Sequence, residues 1–91
     1  MLPLRWRPEA KAQLRAVSAY VAARNPDAAA RLAGLIGEAA EALPRHPYLH
    51  RPGRVPNTRE AVVHPNYILI YRVELTCIRV LAVIHARQRY P

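Results

Sequence analysis

Four prolines between residues 44 and 56 divide this chain into two halves with different hydrophobic periodicity. Proline lacks a backbone N–H and fixes φ, so we expect neither a helix nor a central strand over residues 44–57, which also contain Gly53 and Asn57. Apolar residues recur at helical spacing before this segment, whereas the runs after it are rich in Val, Ile and Tyr, which favour strands. The sequence therefore predicts a helical part and a sheet part joined by a loop.

Two helices are expected in the first half. Pro8 suits the first helical turn, and Glu9 faces the positive end of the helix. Residues 24–27, Arg-Asn-Pro-Asp, end this helix and begin a second one, which extends to about Leu43. The short link predicts an antiparallel helical hairpin. The predicted apolar stripes are Ala10, Leu14, Val17 and Val21 in the first helix and Leu32, Leu35, Ile36, Ala39 and Leu43 in the second.

Two glycines lie inside the second predicted helix, at positions 34 and 37. Each costs about 1 kcal/mol relative to alanine in a helix interior. We expect close packing of the backbone against the first helix to account for both.

Four strands are expected, over residues 2–6, 58–64, 67–74 and 77–85. Short links make the last three an antiparallel meander, so the fold class is α+β, with the helices packed on one sheet face. Alternation places Tyr67, Leu69, Tyr71 and Val73 on one face, and Ile78, Val80, Ala82 and Ile84 on one face of the last strand. Residues 1–91 are expected to form one domain.

The net charge of +8 comes almost entirely from arginine, since Lys11 is the only lysine among 14 basic residues. Eight of the arginines follow residue 43, and the excess suggests an acidic partner. The single cysteine, Cys77, excludes an internal disulfide. We expect a soluble cytoplasmic protein, since no membrane span or signal peptide is readable. No cofactor or metal is expected, because Pro47 separates His46 from His50.

Five segments spread over the chain carry a family resemblance: residues 6–10, 24–30, 53–60, 67–73 and 84–91. Together they resemble the RelE/ParE superfamily of type II toxin–antitoxin toxins, most closely the ParE, plasmid-stabilisation branch. The resemblance implies a toxin neutralised by a separate antitoxin. ParE-type members inhibit DNA gyrase, whereas RelE-type members cleave mRNA in the ribosome.

The residues needed to cleave RNA are incompletely represented. RelE-type members use a lysine or glutamate, arginines and a C-terminal tyrosine, whereas Lys11 lies in a helix here and Ile68 stands where those nucleases have arginine. The set available for a nuclease is Glu60 as base and His85 as acid, with Arg87 and Tyr90. We therefore expect a gyrase inhibitor that is not an enzyme, with a ribosome-dependent mRNA endonuclease as the alternative.

The expected contact residues for the target or the antitoxin are mostly arginines: Arg51, Arg54, Arg59, Arg72, Arg87, Arg89 and Tyr90. The tail from Arg87 is expected to be free, with no core to fill. The resemblance implies a ParD-like antitoxin, expected to present an acidic amphipathic segment, and DNA gyrase as the target. A nucleic-acid-binding module is a third possibility, although no helix-turn-helix, RNP motif or zinc finger is evident.

Structural roles are the simpler explanation for other polar residues. Arg72 and Arg79 can be cross-strand partners of Glu74 or Glu60. His85 can be a hydrogen-bonded strand end, while Cys77 is expected to be a small buried hydrophobe. Tyr67 and Tyr71 are expected in the core or at its border.

Overall fold

The computed structural model describes residues 1–90, in which two helices pack on one face of a five-stranded sheet. The elements in chain order are β1 Leu4–Trp6, α1 Pro8–Ala22, α2 Pro26–Ala42, a 3-10 helix Leu43–Arg45, β2 Arg51–Pro52, β3 Arg59–His64, β4 Tyr67–Val73 and β5 Ile78–His85. The predicted α+β class, with a helical hairpin followed by an antiparallel meander, is confirmed.

The strand order β1-β5-β4-β3-β2 adds two features that the sequence did not predict. The first strand lies parallel to the last, so that Leu4 is opposite Ile78 and Trp6 opposite Val80. A parallel pair needs a long crossover connection, which local sequence patterns do not reveal. The second feature is β2, a two-residue strand in the proline-rich loop. It lies at the sheet edge, where its proline is tolerated because no further strand needs the missing N–H.

The predicted break between the helices is confirmed at Asn25. Its side-chain Oδ1 accepts a hydrogen bond from the backbone N–H of Ala28 at 3.1 Å, and Pro26 occupies the first turn of α2. The Arg24 guanidinium donates to the Tyr20 carbonyl at 3.1 Å, which satisfies a free acceptor at the end of α1. None of the helices in residues 1–90 is both long and apolar enough to cross a membrane.

The main core lies between the helices and the sheet. Its buried members are Ala10, Leu32, Ile36, Ala40, Leu43, Ala61, Leu69, Tyr71, Ile78, Val80 and Val83. Each fully buried Leu or Ile contributes about 1.5–3 kcal/mol. The α1 stripe packs against this core as predicted, but the prediction for Leu35 is wrong, because 45% of its surface is exposed.

The expectation that Gly34 and Gly37 permit close helix packing is also wrong. A Cβ atom added at either position would meet no atom within 4 Å, apart from the helix's own local backbone. Both glycines therefore weaken α2 without a compensating contact.

A β-bulge at Leu81 redirects the second half of β5. Ala82 is opposite Ile70 but Val80 is opposite Tyr71, so Leu81 is an extra residue. The prediction that Ile78, Val80, Ala82 and Ile84 share one face is therefore wrong. Ile78 and Val80 belong to the main core, whereas Ile84 joins a small cluster with Ile68 and Ile70 on the other side of the sheet. We call that side, away from the helices, the open face.

Candidate functional site

A buried carboxylate and two arginines lie together on the open face. Glu60 is only 4% exposed, and its Oε1 accepts a hydrogen bond from Arg51 Nε at 2.9 Å. Arg51 lies directly opposite Glu60 in the β2–β3 ladder, so the short edge strand positions this pair. Arg54 Nε lies 3.9 Å from Glu60 Oε2, which has no hydrogen-bond partner among the described residues.

The C-terminal tail joins this group through Tyr90. The Arg54 guanidinium lies over the Tyr90 ring, 4.5 Å from its centroid. The ring packs against the Ile68, Ile70 and Ile84 cluster, and its hydroxyl is buried without a partner within residues 1–90. The expectation of a free tail without a core to fill is therefore wrong at this residue. We name Glu60, Arg51, Arg54 and Tyr90 the Glu60 cluster.

A tight turn between β2 and β3 holds Arg54 in place. The backbone N–H of Gly53 donates to the Thr58 carbonyl at 2.7 Å, and the Thr58 hydroxyl donates to the Val55 carbonyl at 2.6 Å. Asn57 has a φ of 68°, a left-handed conformation that asparagine tolerates. A Cβ atom on Gly53 would overlap the Thr58 hydroxyl, so this approach requires glycine.

A second group of charges lies on the same face near the β4–β5 turn. Glu74 accepts hydrogen bonds from Arg72 Nε at 2.9 Å and Nη2 at 2.6 Å, and from Arg79 Nε at 2.9 Å. Hydrogen bonds from Arg72 and then Arg79 hold the pKa of Glu74 at about 2. The same contact with Glu74 raises the pKa of Arg79. We name Glu74, Arg72 and Arg79 the Glu74 cluster.

Arg59 points away from both clusters, toward the helix side of the sheet. Its Nη1 donates to the backbone carbonyls of Tyr48 at 3.3 Å and His50 at 2.7 Å. Beside it, the Tyr71 hydroxyl donates to the Pro47 carbonyl at 2.7 Å. Burial raises the pKa of Tyr71 and lowers that of His50. These hydrogen bonds from Arg59 and Tyr71 hold the proline-rich loop against the sheet. Tyr71 is buried in the core, as predicted.

The four candidate nuclease residues do not converge. Glu60 and Tyr90 are neighbours of Arg54 on the open face. His85 lies on the helix side, 5.4 Å from the Tyr67 ring between centroids, and its Nδ1 accepts the backbone N–H of Arg87 at 3.1 Å. The sheet therefore separates the proposed base from the proposed acid.

Further exposed arginines lie in the tail and in the first strand. Arg87 and Arg89 are exposed and take part in none of the ion pairs found within residues 1–90. Arg5, which the sequence did not single out, lies beside Arg79 because β1 pairs with β5. Arg5 alternates with Leu4 and Trp6, which indicates that it faces away from the core. Its place beside Arg79 could not be predicted, because the sequence does not show that β1 pairs with β5. No group of three or more His, Cys, Asp or Glu residues that could hold a metal occurs in the described part of the chain.

Known proteins match both the sequence and the fold. The family model for the ParE toxin of type II toxin–antitoxin systems (parDE) matches residues 4–90. A Sinorhizobium fredii protein named "Putative toxin Y4kP" is 40% identical over 89 residues, which cover 97% of this chain and 92% of that protein. Two solved structures share the fold at lower identity. A chain of the chromosomal ParDE system from P. aeruginosa has a TM-score of 0.85, with 24% identity over 93% of this chain and 96% of that one. A chain of the YoeB dimer from Staphylococcus aureus has a TM-score of 0.66, with 14% identity over 98% of both chains.

Proposed function

The chain belongs to the ParE toxin family of type II toxin–antitoxin systems, and we propose that it inhibits DNA gyrase and is neutralised by a cognate antitoxin. The observation that carries the choice of gyrase over RNA is the separation of Glu60 and His85 on opposite sides of the sheet. A general base and a general acid must both reach one phosphodiester, and these two side chains do not face a common space. We therefore propose binding to a protein target rather than cleavage of RNA.

The tail supplies the proposed contact surface for the target. Arg87 and Arg89 are exposed cations next to Tyr90, whose ring is held on the open face. A positioned aromatic ring flanked by arginines is the residue combination enriched at interface hot spots. Arg51 and Arg54 extend this surface along the sheet edge.

A supercoiling assay with purified gyrase tests the proposal. We expect the chain to block supercoiling or to stabilise cleaved DNA. The double variant Arg87→Glu/Arg89→Glu is expected to weaken inhibition at least tenfold, because charge reversal at a target contact lowers affinity. Arg15 and Arg31 are exposed on the helices, so Arg15→Glu/Arg31→Glu is the control with the same change in net charge.

One result would overturn the gyrase proposal. It is unaffected supercoiling at saturating protein, together with codon-positioned cuts in translated mRNA that are lost on Arg87→Ala; this outcome supports the endonuclease. An equal loss of inhibition in the helix and tail variants would instead overturn the tail as the contact surface, because the effect would then depend only on net charge.

The antitoxin proposal rests on the arginine surface of the open face. Guanidinium groups bind carboxylates through two parallel hydrogen bonds, so they suit an acidic segment. We expect the product of the neighbouring reading frame to bind this chain and restore supercoiling. Affinity measured by calorimetry is expected to fall as salt rises from 0.1 to about 0.5 M, because screening weakens exposed charge pairs. An antitoxin whose affinity is independent of salt would contradict an arginine-based interface.

A further inference from the structure

A second concave surface lies on the helix side of the sheet, away from both arginine clusters. A cavity of about 680 Å³ opens between the helical hairpin and the end of the sheet where β3, β4 and β5 meet. Val17, Leu32 and Val83 form part of its apolar lining, and no Asp, Glu, Lys or Arg lines it in the described part of the chain. Its volume is within the range of about 300–1,000 Å³ that is typical of ligand sites.

Three rings form a row along one wall of this cavity. His64 and His85 lie on either side of Tyr67 in the strand register, with ring centroids 5.9 and 5.4 Å from the tyrosine ring. Tyr67 is therefore flanked by one histidine from each neighbouring strand. All three side chains line the cavity.

Both histidines present a hydrogen-bond donor. The backbone N–H of Asn66 donates to His64 Nδ1 at 3.0 Å, and that of Arg87 donates to His85 Nδ1 at 3.1 Å. A backbone N–H can only donate, so each Nδ1 supplies a lone pair. The neutral ring then has its hydrogen on Nε2, which is a donor in each case.

Two glutamines in the same lining have also used their acceptors. Gln13 Oε1 accepts the backbone N–H of Val83 at 2.8 Å, and Gln88 Oε1 accepts that of His85 at 3.4 Å. The remaining polar group of each side chain is an amide NH₂, which is a donor. Four side chains around one cavity therefore offer donors, while their acceptors are bonded within the protein.

We propose that this cavity binds a carboxylate on an apolar stem, supplied by an acidic segment of a protein partner. The carboxylate accepts a hydrogen bond from the Nε2–H group of one of the two histidines that flank Tyr67, and the stem packs against Val17 and Leu32. A protein segment is favoured over a free acid because the binding surface continues outside the cavity. There the Arg24 guanidinium lies 4.0 Å from the centroid of the exposed Tyr20 ring. The inference rests on the proposed function only in taking the antitoxin as the source of that segment.

Titration of the ¹⁵N-labelled chain by NMR tests the site with a matched pair of peptides. The probes are acetyl-Leu-Glu-Leu-amide and acetyl-Leu-Gln-Leu-amide, with free 4-methylpentanoate as the small-molecule arm. We expect the glutamate peptide to shift the ring signals of His64 and His85 and to bind about tenfold more tightly than the glutamine peptide, because only the carboxylate carries charge to the donors. Equal binding of the two peptides, or shifts confined to other residues, would refute the carboxylate site. Tighter binding of 4-methylpentanoate than of the glutamate peptide would refute the protein source.

Single variants assign the donors. His64→Phe and His85→Phe keep a ring but remove the Nε2–H, so the variant at the donor histidine is expected to weaken binding of the glutamate peptide several-fold. Unchanged binding in both variants would refute a histidine donor. His46 is exposed in the proline-rich loop and is absent from the lining, so His46→Phe is the matched control and is expected to bind as the parent chain does. Binding lost equally in all three variants would overturn the assignment, and the peptide pair on the parent chain remains decisive if a variant does not fold. Neither measurement involves gyrase, so its failure is distinguishable from failure of the proposed function.

Discussion

Glu60 and Glu74 each face two arginines on the same side of the sheet, yet they differ in burial and in hydrogen bonding. Glu74 has 23% of its side chain exposed and receives three guanidinium hydrogen bonds. Glu60 is 4% exposed and receives one, and its second oxygen has no partner within residues 1–90. The more deeply buried carboxylate is thus the less satisfied one.

This difference arises from the structural elements that carry the arginines. Arg72 and Arg79 face each other across β4 and β5, two long paired strands that hold both guanidinium groups near Glu74. Arg51 belongs to a two-residue edge strand, and Arg54 to the turn that follows it. A buried carboxylate that lacks hydrogen-bond partners lowers the stability of the fold, and such groups are found at functional sites. We therefore favour the Glu60 cluster over the Glu74 cluster as the one shaped by function.

The largest expected effect comes from removing the main partner of Glu60. Arg51→Leu leaves the buried carboxylate with Arg54, at 3.9 Å, as its one basic neighbour within residues 1–90. We expect the free energy of unfolding to fall by about 2 kcal/mol, between the values for exposed and buried pairs because Arg51 is itself 57% exposed. Urea denaturation measures the change.

The double variant Arg51→Leu/Glu60→Leu is the control for this prediction. Removing both charges is expected to recover most of the lost stability, because no unpaired buried charge remains. Two losses that simply add would show that the ion pair is not the cause.

The next predicted effect is stabilising. It provides a more stable parent chain in which the Glu60 and Glu74 clusters can be compared. Gly34→Ala and Gly37→Ala add a Cβ atom into open space on α2, so each is expected to raise the free energy of unfolding by about 1 kcal/mol. Gly53→Ala is the matched control with the opposite sign, since its Cβ overlaps the Thr58 hydroxyl. Thermal and urea unfolding of the three variants check the signs, and a destabilised Gly34→Ala would contradict the open environment.

The smallest effect is the pH dependence of the Glu74 cluster. The pKa of Glu74 is lowered from 4.5 to about 2 by its arginine partners, so folding favours the ionised form. The stability that wild type gains over Glu74→Gln is therefore complete above the ordinary pKa and is lost as pH falls through about 2. Urea midpoints measured from pH 7 down to pH 2 give this difference. A difference that does not change with pH would contradict the depressed pKa.

Local chemistry made much of the fold predictable. Proline fixes φ and Asn25 caps a helix through its own side chain, so the helix boundaries follow from neighbouring residues. The sequence offered Glu74 or Glu60 as the partner of Arg72 and Arg79, and the structure shows Glu74, which lies within five residues of both. The bulge at Leu81 could not be predicted, because residues 80–84 are all apolar and the sequence therefore does not show which of them face the core.

The candidate site was less predictable, because its members come from distant parts of the chain. The sequence singles out Glu60 as a site residue only in a nuclease set with His85. It places Tyr90 both in that set and among the expected contact residues, with Arg51 and Arg54. Only the sheet shows that Arg54 joins Glu60 to Tyr90, and that His85 lies on the other side with the helices.

By itself the sequence determined the class, the order of the elements and the family, because those depend on residue patterns that act over a few positions. Tertiary structure alone decided that β1 lies beside β5, that Tyr90 covers the open face, and which charges are buried. The physical reason is distance along the chain. Parallel pairing and the docking of the tail depend on contacts between segments some 30 to 75 residues apart. These segments meet only when the sheet has formed, so local sequence patterns do not show their contacts.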